Sequence, residues 1–178
     1  AIGIGLGVLI GSFRSVEAVT TSSIGFLRYI PASALGFLFL LWLGIDEAPK
    51  IALIVVGTVF YNVLMIADVA AAVPKELVQA AYTLGARRLR VLRQVILPHS
   101  VPGIIDVARI NLAAAWLMLV VSELQAAEAG MYFRVAKLYR ARNVDAMFAI
   151  LLIFGLIGAL SDVVLRALRR RTAGWADA

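Results

Sequence analysis

Long apolar stretches broken by short polar ones set the pattern of this chain, with uncharged runs over Ala1–Phe13, Tyr29–Ile45, Ile51–Ala67, Ile110–Ser122 and Ala146–Ser161. A bilayer core takes roughly 20 mostly apolar helical residues, and three of the runs approach that length once a flanking polar residue is allowed to snorkel. The pattern predicts about five spanning helices, the later ones over 50–72, 101–124 and 144–168. Gly3, Gly7 and Gly11 fall on one face of the first, where small residues let a neighbouring helix approach closely. That run starts without Met or a preceding basic stretch, so it reads as the end of a helix begun further upstream rather than as a signal peptide. A loop over 13–31 returns to the membrane through Arg28-Tyr29-Ile30-Pro31, and the next helix ends near Gly44-Ile45-Asp46-Glu47.

Between the third and fourth spans the periodicity changes. Leu77, Ala80, Ala81 and Leu84 recur at helical spacing, Gly85 permits a backbone turn, and Leu89, Leu92 and Ile96 repeat the spacing. This predicts a helix-turn-helix over 74–98 lying at a membrane surface. Pro74 suits a helix start, the small Ala80 and Ala81 allow the two short helices to pack closely, and Pro98 ends the second. Ser100 then reads as the N-cap of the next span, with Pro102 in its first turn. The segment 125–145 reads as a loop on the other side.

Composition agrees with the pattern. A hydrophobic fraction of 62%, a mean hydropathy of +0.94 and 16% charged residues place the chain outside soluble usage. The net charge of +6 is scattered between apolar runs and forms no soluble basic face, which argues against nucleic acid. With the 74–98 segment inside the cell, eleven cations lie inside and five outside, with Arg109 within a span, the bias that orients membrane proteins. The outer 125–145 segment, with four cations, runs against that bias. There is no Cys and a single His99, hence no disulfide framework and no clustered metal ligands. A phosphate-binding Gly-rich loop is absent, so this chain is not read as hydrolysing ATP, and no nucleophile–base pair suggests another catalytic activity.

The remaining polar positions within the spans carry two readings each. Asp106 and Arg109 share a helix face and either pair with each other or a neighbour, or line a water-filled path. Asn111, Trp116 and Glu123 follow on the same helix, Glu123 about 21 Å beyond Arg109 at 1.5 Å per residue. Glu123 is read as a gating carboxylate near the outer mouth or as a structural one. Asp68 has a similar choice, and the aromatic residues read as packing or lipid-facing groups.

The segment Gln79-Ala80-Ala81, three residues, Gly85, nine residues, Val95, one residue, Leu97-Pro98 resembles the ATPase-docking loop of ABC importer permeases, with two positions conservatively changed from Glu-Ala-Ala and Ile-x-Leu-Pro. Tyr29-Ile30-Pro31-Ala32, Trp42-Leu43-Gly44-Ile45, Pro102-Gly103, Arg109 through Trp116, Ser122-Glu123 and Trp175 are similar to the nitrate, sulfonate and taurine branch. After Glu123 the branch often has Gly-x-Gly, whereas only Gly130 stands here. The resemblance implies an all-α, polytopic type I importer domain over 1–178 in the bacterial inner membrane, with a cytoplasmic coupling loop at 74–98. It implies docking through Glu76, Gln79, Ala80, Ala81, Gly85, Leu97 and Pro98, and a substrate pathway past Arg109, Asn111, Trp116 and Glu123. Implied partners are ABC ATPase subunits holding ATP and Mg, a second permease copy, and an extracytoplasmic binding protein delivering a small anion. The alternatives are an ion-coupled secondary transporter or channel, a scaffold, or, for the loop alone, an amphipathic segment held on anionic lipid by Arg87, Arg88, Arg90 and Arg93.

Overall fold

The computed structural model describes residues 2–12, 24–126 and 128–173, and all regular structure among them is helical. The helices are α1 (Ile2–Ser12), α2 (Ala32–Leu43), α3 (Glu47–Ala71), α4 (Lys75–Thr83), α5 (Arg88–Val91), α6 (Leu97–Ala126), α7 (Met131–Arg140) and α8 (Val144–Ala173). Each of the five apolar runs becomes helix. Among the described residues, three helices, Glu47–Ala71, Arg88–Gln125 and Val144–Ala173, are long and apolar enough to cross a membrane. The 12 residues of α2 reach about 18 Å, short of the roughly 30 Å hydrocarbon core. The return loop over 13–31 falls largely, and Trp175 wholly, outside the described residues.

The chain divides into two compact units. One takes in α1, residues 59–111 and the end of α8; the other comprises 30–58 and 112–164. In the first, α1 packs on α3 through its glycines. A Cβ at Gly7 would stand 2.7 Å from Ile66 Cβ, and one at Gly11 would collide with the Ala67 carbonyl. The absent side chains thus let the two backbones touch, the close approach the four-residue spacing predicts. Val8 and Ile66 meet Ile104 and Val107 of α6 in one cluster, while Ile10, Val63 and Ala67 form another. In the second unit, Gln125 Nε2 donates to the Ser33 carbonyl at 2.6 Å, with Gly36 leaving room for its amide. Gly57 leaves similar room for Met118. Trp116 meets Phe154 edge to face, with ring centroids 5.6 Å apart. The apolar stretch of α8 is unburied within the chain, and Leu41, Trp42, Leu152 and Leu156 are similarly exposed. Water would penalise so much apolar surface, so these are helices of a membrane protein.

Three sequence expectations are corrected. Pro98 does not end the second short helix: α5 continues through a π-helical stretch, Leu92–Ile96, directly into α6. There the Leu97 N–H reaches the Leu92 carbonyl five residues back. A proline in an α-helix strikes the carbonyl four residues earlier and leaves it without a donor, and the wider turn just before Pro98 relieves that constraint. Ser100 is consequently not an N-cap, being buried inside a continuous helix, and Pro102 also lies within that helix. Finally, the 125–145 segment contains α7, an amphipathic helix anchored by the buried Val135.

Candidate functional site

The hairpin between α3 and α6 is closed by backbone geometry at Gly85. Its φ of +78° lies in the left-handed region that only glycine adopts without strain. The Gly85 N–H donates to the Tyr82 carbonyl at 2.9 Å, and the Ala86 N–H to the Ala81 carbonyl at 3.0 Å. This pair of bonds is the Schellman arrangement, which satisfies the last carbonyls of α4 and turns the chain back. Its accompanying apolar contact is present, because Ala81 and Ala86 pack with Val78 on the cluster of Ala70, Val73, Val91 and Ile96. The hairpin is therefore tied to the end of α3 and to the π-helical stretch through one small core.

The two alanines divide between two faces. Ala81 supplies the close packing expected of both, whereas Ala80 is exposed. Glu76, Gln79, Gly85 and Pro98 are exposed too, and Leu97 is 38% exposed. Leu84 is 88% exposed at the tip, with Tyr82 about half exposed on the same helix end and Leu77 about half exposed in the first turn of α4. The sequence periodicity places Leu84 among the packing residues. The signal that corrects it is its position just before a helix-ending glycine, where the chain has already left the helical register. The result is a small apolar and polar knob at the tip of a helical hairpin.

Along α6 the five polar positions part company. Asp106 Oδ1 accepts from Arg109 Nη1 at 3.0 Å, and its Oδ2 accepts from Arg169 Nε at 3.0 Å. Asp106 thus ties α6 to the basic end of α8 with both oxygens. Arg169 is the partner that sequence reasoning missed, counting it only as a terminal topogenic charge. Asn111 is buried, its Nδ2 donating to the Val107 carbonyl at 3.1 Å and lying 3.4 Å from Met65 Sδ on α3. Trp116 packs on Phe154, and its buried indole N–H has no partner among the described residues. Asp68 is exposed on α3.

Glu123 holds the start of α7. Its Oε2 accepts the backbone N–H groups of Tyr132 at 2.7 Å and Phe133 at 3.2 Å, two of the donors a helix N-terminus leaves without partners. A carboxylate there also complements the helix dipole. Gly130, at φ +141°, leaves the space the carboxylate occupies, since a Cβ would collide with it. The single glycine after Glu123 thus has a local use. Glu123→Ala is expected to fray α7, costing about 1 kcal/mol as for lost helix caps. Hydrogen exchange at Tyr132 and Phe133 should rise with little change in α4, and unchanged protection would show that the cap does not hold the helix.

The sequence model of the family described as "Binding-protein-dependent transport system inner membrane component" matches residues 3–174. A probable ABC transporter permease protein of Brucella abortus (strain 2308) is 33% identical over 177 residues, covering 99% of this chain and 71% of that protein. The taurine transport system permease protein of Escherichia coli (strain K12) is 35% identical over 174 residues, 97% of this chain and 63% of that protein. In fold, the chain is similar to one in the methionine ABC transporter MetNI solved in inward-facing conformations. The TM-score is 0.81 at 20% identity, over 97% of this chain and 86% of that one.

Proposed function

The chain belongs to the family of binding-protein-dependent transport system inner membrane components and is an ABC transporter permease by that kinship, and from this premise we propose how it works and what it carries. The α4–Gly85–α5 hairpin docks on a separate ATPase subunit, which holds ATP and Mg, on the cytoplasmic side of a bacterial inner membrane. Two copies of the permease form the pathway, and a binding protein delivers the substrate from outside. The observation that carries this reading is the exposed knob around Leu84 on a stem that continues without a break through the π-helical stretch into α6. A push on the knob is therefore applied to a spanning helix.

When ATP draws the ATPase subunits together, the two hairpins follow, and α6 carries the displacement inward to Asp106 and, through Arg169, to the end of α8. The substrate reading follows the relatives. The taurine permease of Escherichia coli and an aliphatic sulfonates permease of Bacillus subtilis, 32% identical, support a small sulfonate or similar anion such as nitrate, with Arg109, Asn111, Trp116 and Glu123 as the positions along α6 where a pathway would be tested first.

Proteoliposomes holding the permease, its cognate ATPase and binding protein should accumulate radiolabelled taurine or a short alkanesulfonate only when ATP is present. Accumulation that persists without the ATPase would replace this reading with an ion-coupled transporter. ATP-driven uptake of a cationic or neutral solute alone would overturn the substrate class while leaving the importer assignment standing.

A further inference from the structure

The second limb of the hairpin carries a charge pattern that docking does not use. Arg87, Arg90 and Arg93 line an open cleft of about 310 Å³ together with Leu89 and Gln94. None of the proposed docking positions lines it, and neither does any carboxylate among the described residues. No ion pair to the three guanidiniums occurs among the described residues either. Three converging cations without a counter-charge repel one another and concentrate a positive potential in one place. Such a cleft gains most from an anion with several acceptor oxygens, and guanidinium geometry matches phosphate through paired hydrogen bonds.

We propose that this cleft binds the head-group phosphate of an anionic phospholipid at the cytoplasmic surface of the membrane. Two features select a lipid over other phosphates. Arg90 and Arg93 stand on the stretch from Arg88 that runs without interruption into the spanning helix, and Arg87 immediately precedes it, so the cleft opens next to the bilayer surface. Its lining also includes Leu89, 58% exposed. A free phosphate ion leaves this apolar group in water, whereas the glycerol and upper acyl chains of a lipid cover it. The cytoplasmic leaflet is also where anionic lipids meet basic segments, and basic pockets at the ends of spanning helices hold their head groups. Gln94 supplies an uncharged donor beside the arginines. The cleft lies on the stem of the docking hairpin, so an anchored lipid would steady the base from which the knob projects.

The test is phosphatidylglycerol retention by the intact transporter complex, purified from nanodiscs of phosphatidylcholine with or without phosphatidylglycerol and read by native mass spectrometry. Wild type should retain phosphatidylglycerol in preference to phosphatidylcholine, and millimolar inorganic phosphate should not displace it. The combined Arg87→Gln, Arg90→Gln and Arg93→Gln variant should bind it on the order of a hundredfold more weakly, each basic residue near an anionic surface contributing about fivefold. The corresponding triple Lys variant keeps the charge but not the paired hydrogen bonds, and should bind more tightly than the Gln variant and more weakly than wild type. Should the triple Gln variant not fold, Arg93→Gln alone decides, with about a fivefold loss expected. Equal retention by wild type and the Gln variants would overturn the proposal. So would ready displacement by inorganic phosphate, the mark of a free-anion site. Loss of the ATPase subunit from the Gln variant in lipid-free detergent, with phosphatidylglycerol retention unchanged, would instead assign the arginines to a protein contact. Retention is read without transport, so it stands or falls independently of the substrate.

Discussion

Gly85→Glu is expected to abolish ATP-driven uptake while leaving the protein folded and inserted. Space does not forbid the substitution, because nothing lies within 4 Å of a Cβ built at this position. Backbone conformation penalises it modestly: a side chain in the left-handed region costs roughly 1–2 kcal/mol, at an exposed turn joined to the rest by its own small core. The larger effect falls on the proposed interface. A carboxylate beside Leu84, the most exposed apolar residue of the hairpin, would be buried without a partner when the knob enters its cleft. An unpaired charge in an interface costs about 2–5 kcal/mol, hence a loss of assembly on the order of a hundredfold. Gly85→Asn separates the two costs, since Asn tolerates the left-handed region and adds no charge. It should keep most of the activity. Co-purification with the ATPase and coupled hydrolysis are the measurements. If Gly85→Glu assembles and couples as wild type does, docking through this turn is wrong.

The hairpin was legible in the sequence because its chemistry is local. A helical run of small and apolar residues, one glycine, then a second run define a turn that two backbone bonds complete, and Gly85 takes the left-handed backbone state that glycine adopts at least cost. The glycines of α1 were legible for the same reason, because four-residue spacing on a helix fixes which side must be bare. Reading failed where the outcome depends on a partner distant in sequence or on adjustment by neighbours. Arg169 finds Asp106 across 63 residues, and nothing in the terminal basic run distinguishes it from Arg170. Pro98 looks like a helix end until the preceding turn is seen to widen around it. Helix α7 was hidden by its polarity. Met131, Val135 and Leu138 do recur at helical spacing, but only Val135 is buried and the carboxylate that caps the helix comes from α6, so no local capping residue announced it.

Asp106→Arg should be strongly disruptive, and its companion substitution should repair part of the damage. In the wild type one carboxylate holds two guanidiniums, each at 3.0 Å, and links α6 to the last turns of α8. Asp106 is 38% exposed at its side chain and each arginine about a quarter, so solvent screens the pairs and each is discounted towards the surface value of about 1 kcal/mol. Neutral Asp106→Asn should therefore cost only about 1–2 kcal/mol, near the low end for hydrogen bonds to charged groups. Reversal adds repulsion among three guanidiniums to the loss of both bonds, and about 3 kcal/mol or more is expected when the terms are summed. Function should fall further than stability. If α6 and α8 move as one through this link, breaking it lets hydrolysis proceed without moving α8, so uptake per ATP should drop while hydrolysis continues. Arg169→Asp alone should be milder than Asp106→Arg, because Asp106 keeps Arg109, and the double exchange should recover part of both the melting temperature and the uptake ratio, because it restores an opposite-charge pair between the same two helices while Arg109 still loses its carboxylate. A double-mutant cycle that is additive in both measurements would show that Asp106 and Arg169 do not act on each other. The α6–α8 link would then be packing alone, and the displacement from the docking hairpin would have to leave α6 through the apolar contacts of Ile104 and Val107 with α1 and α3.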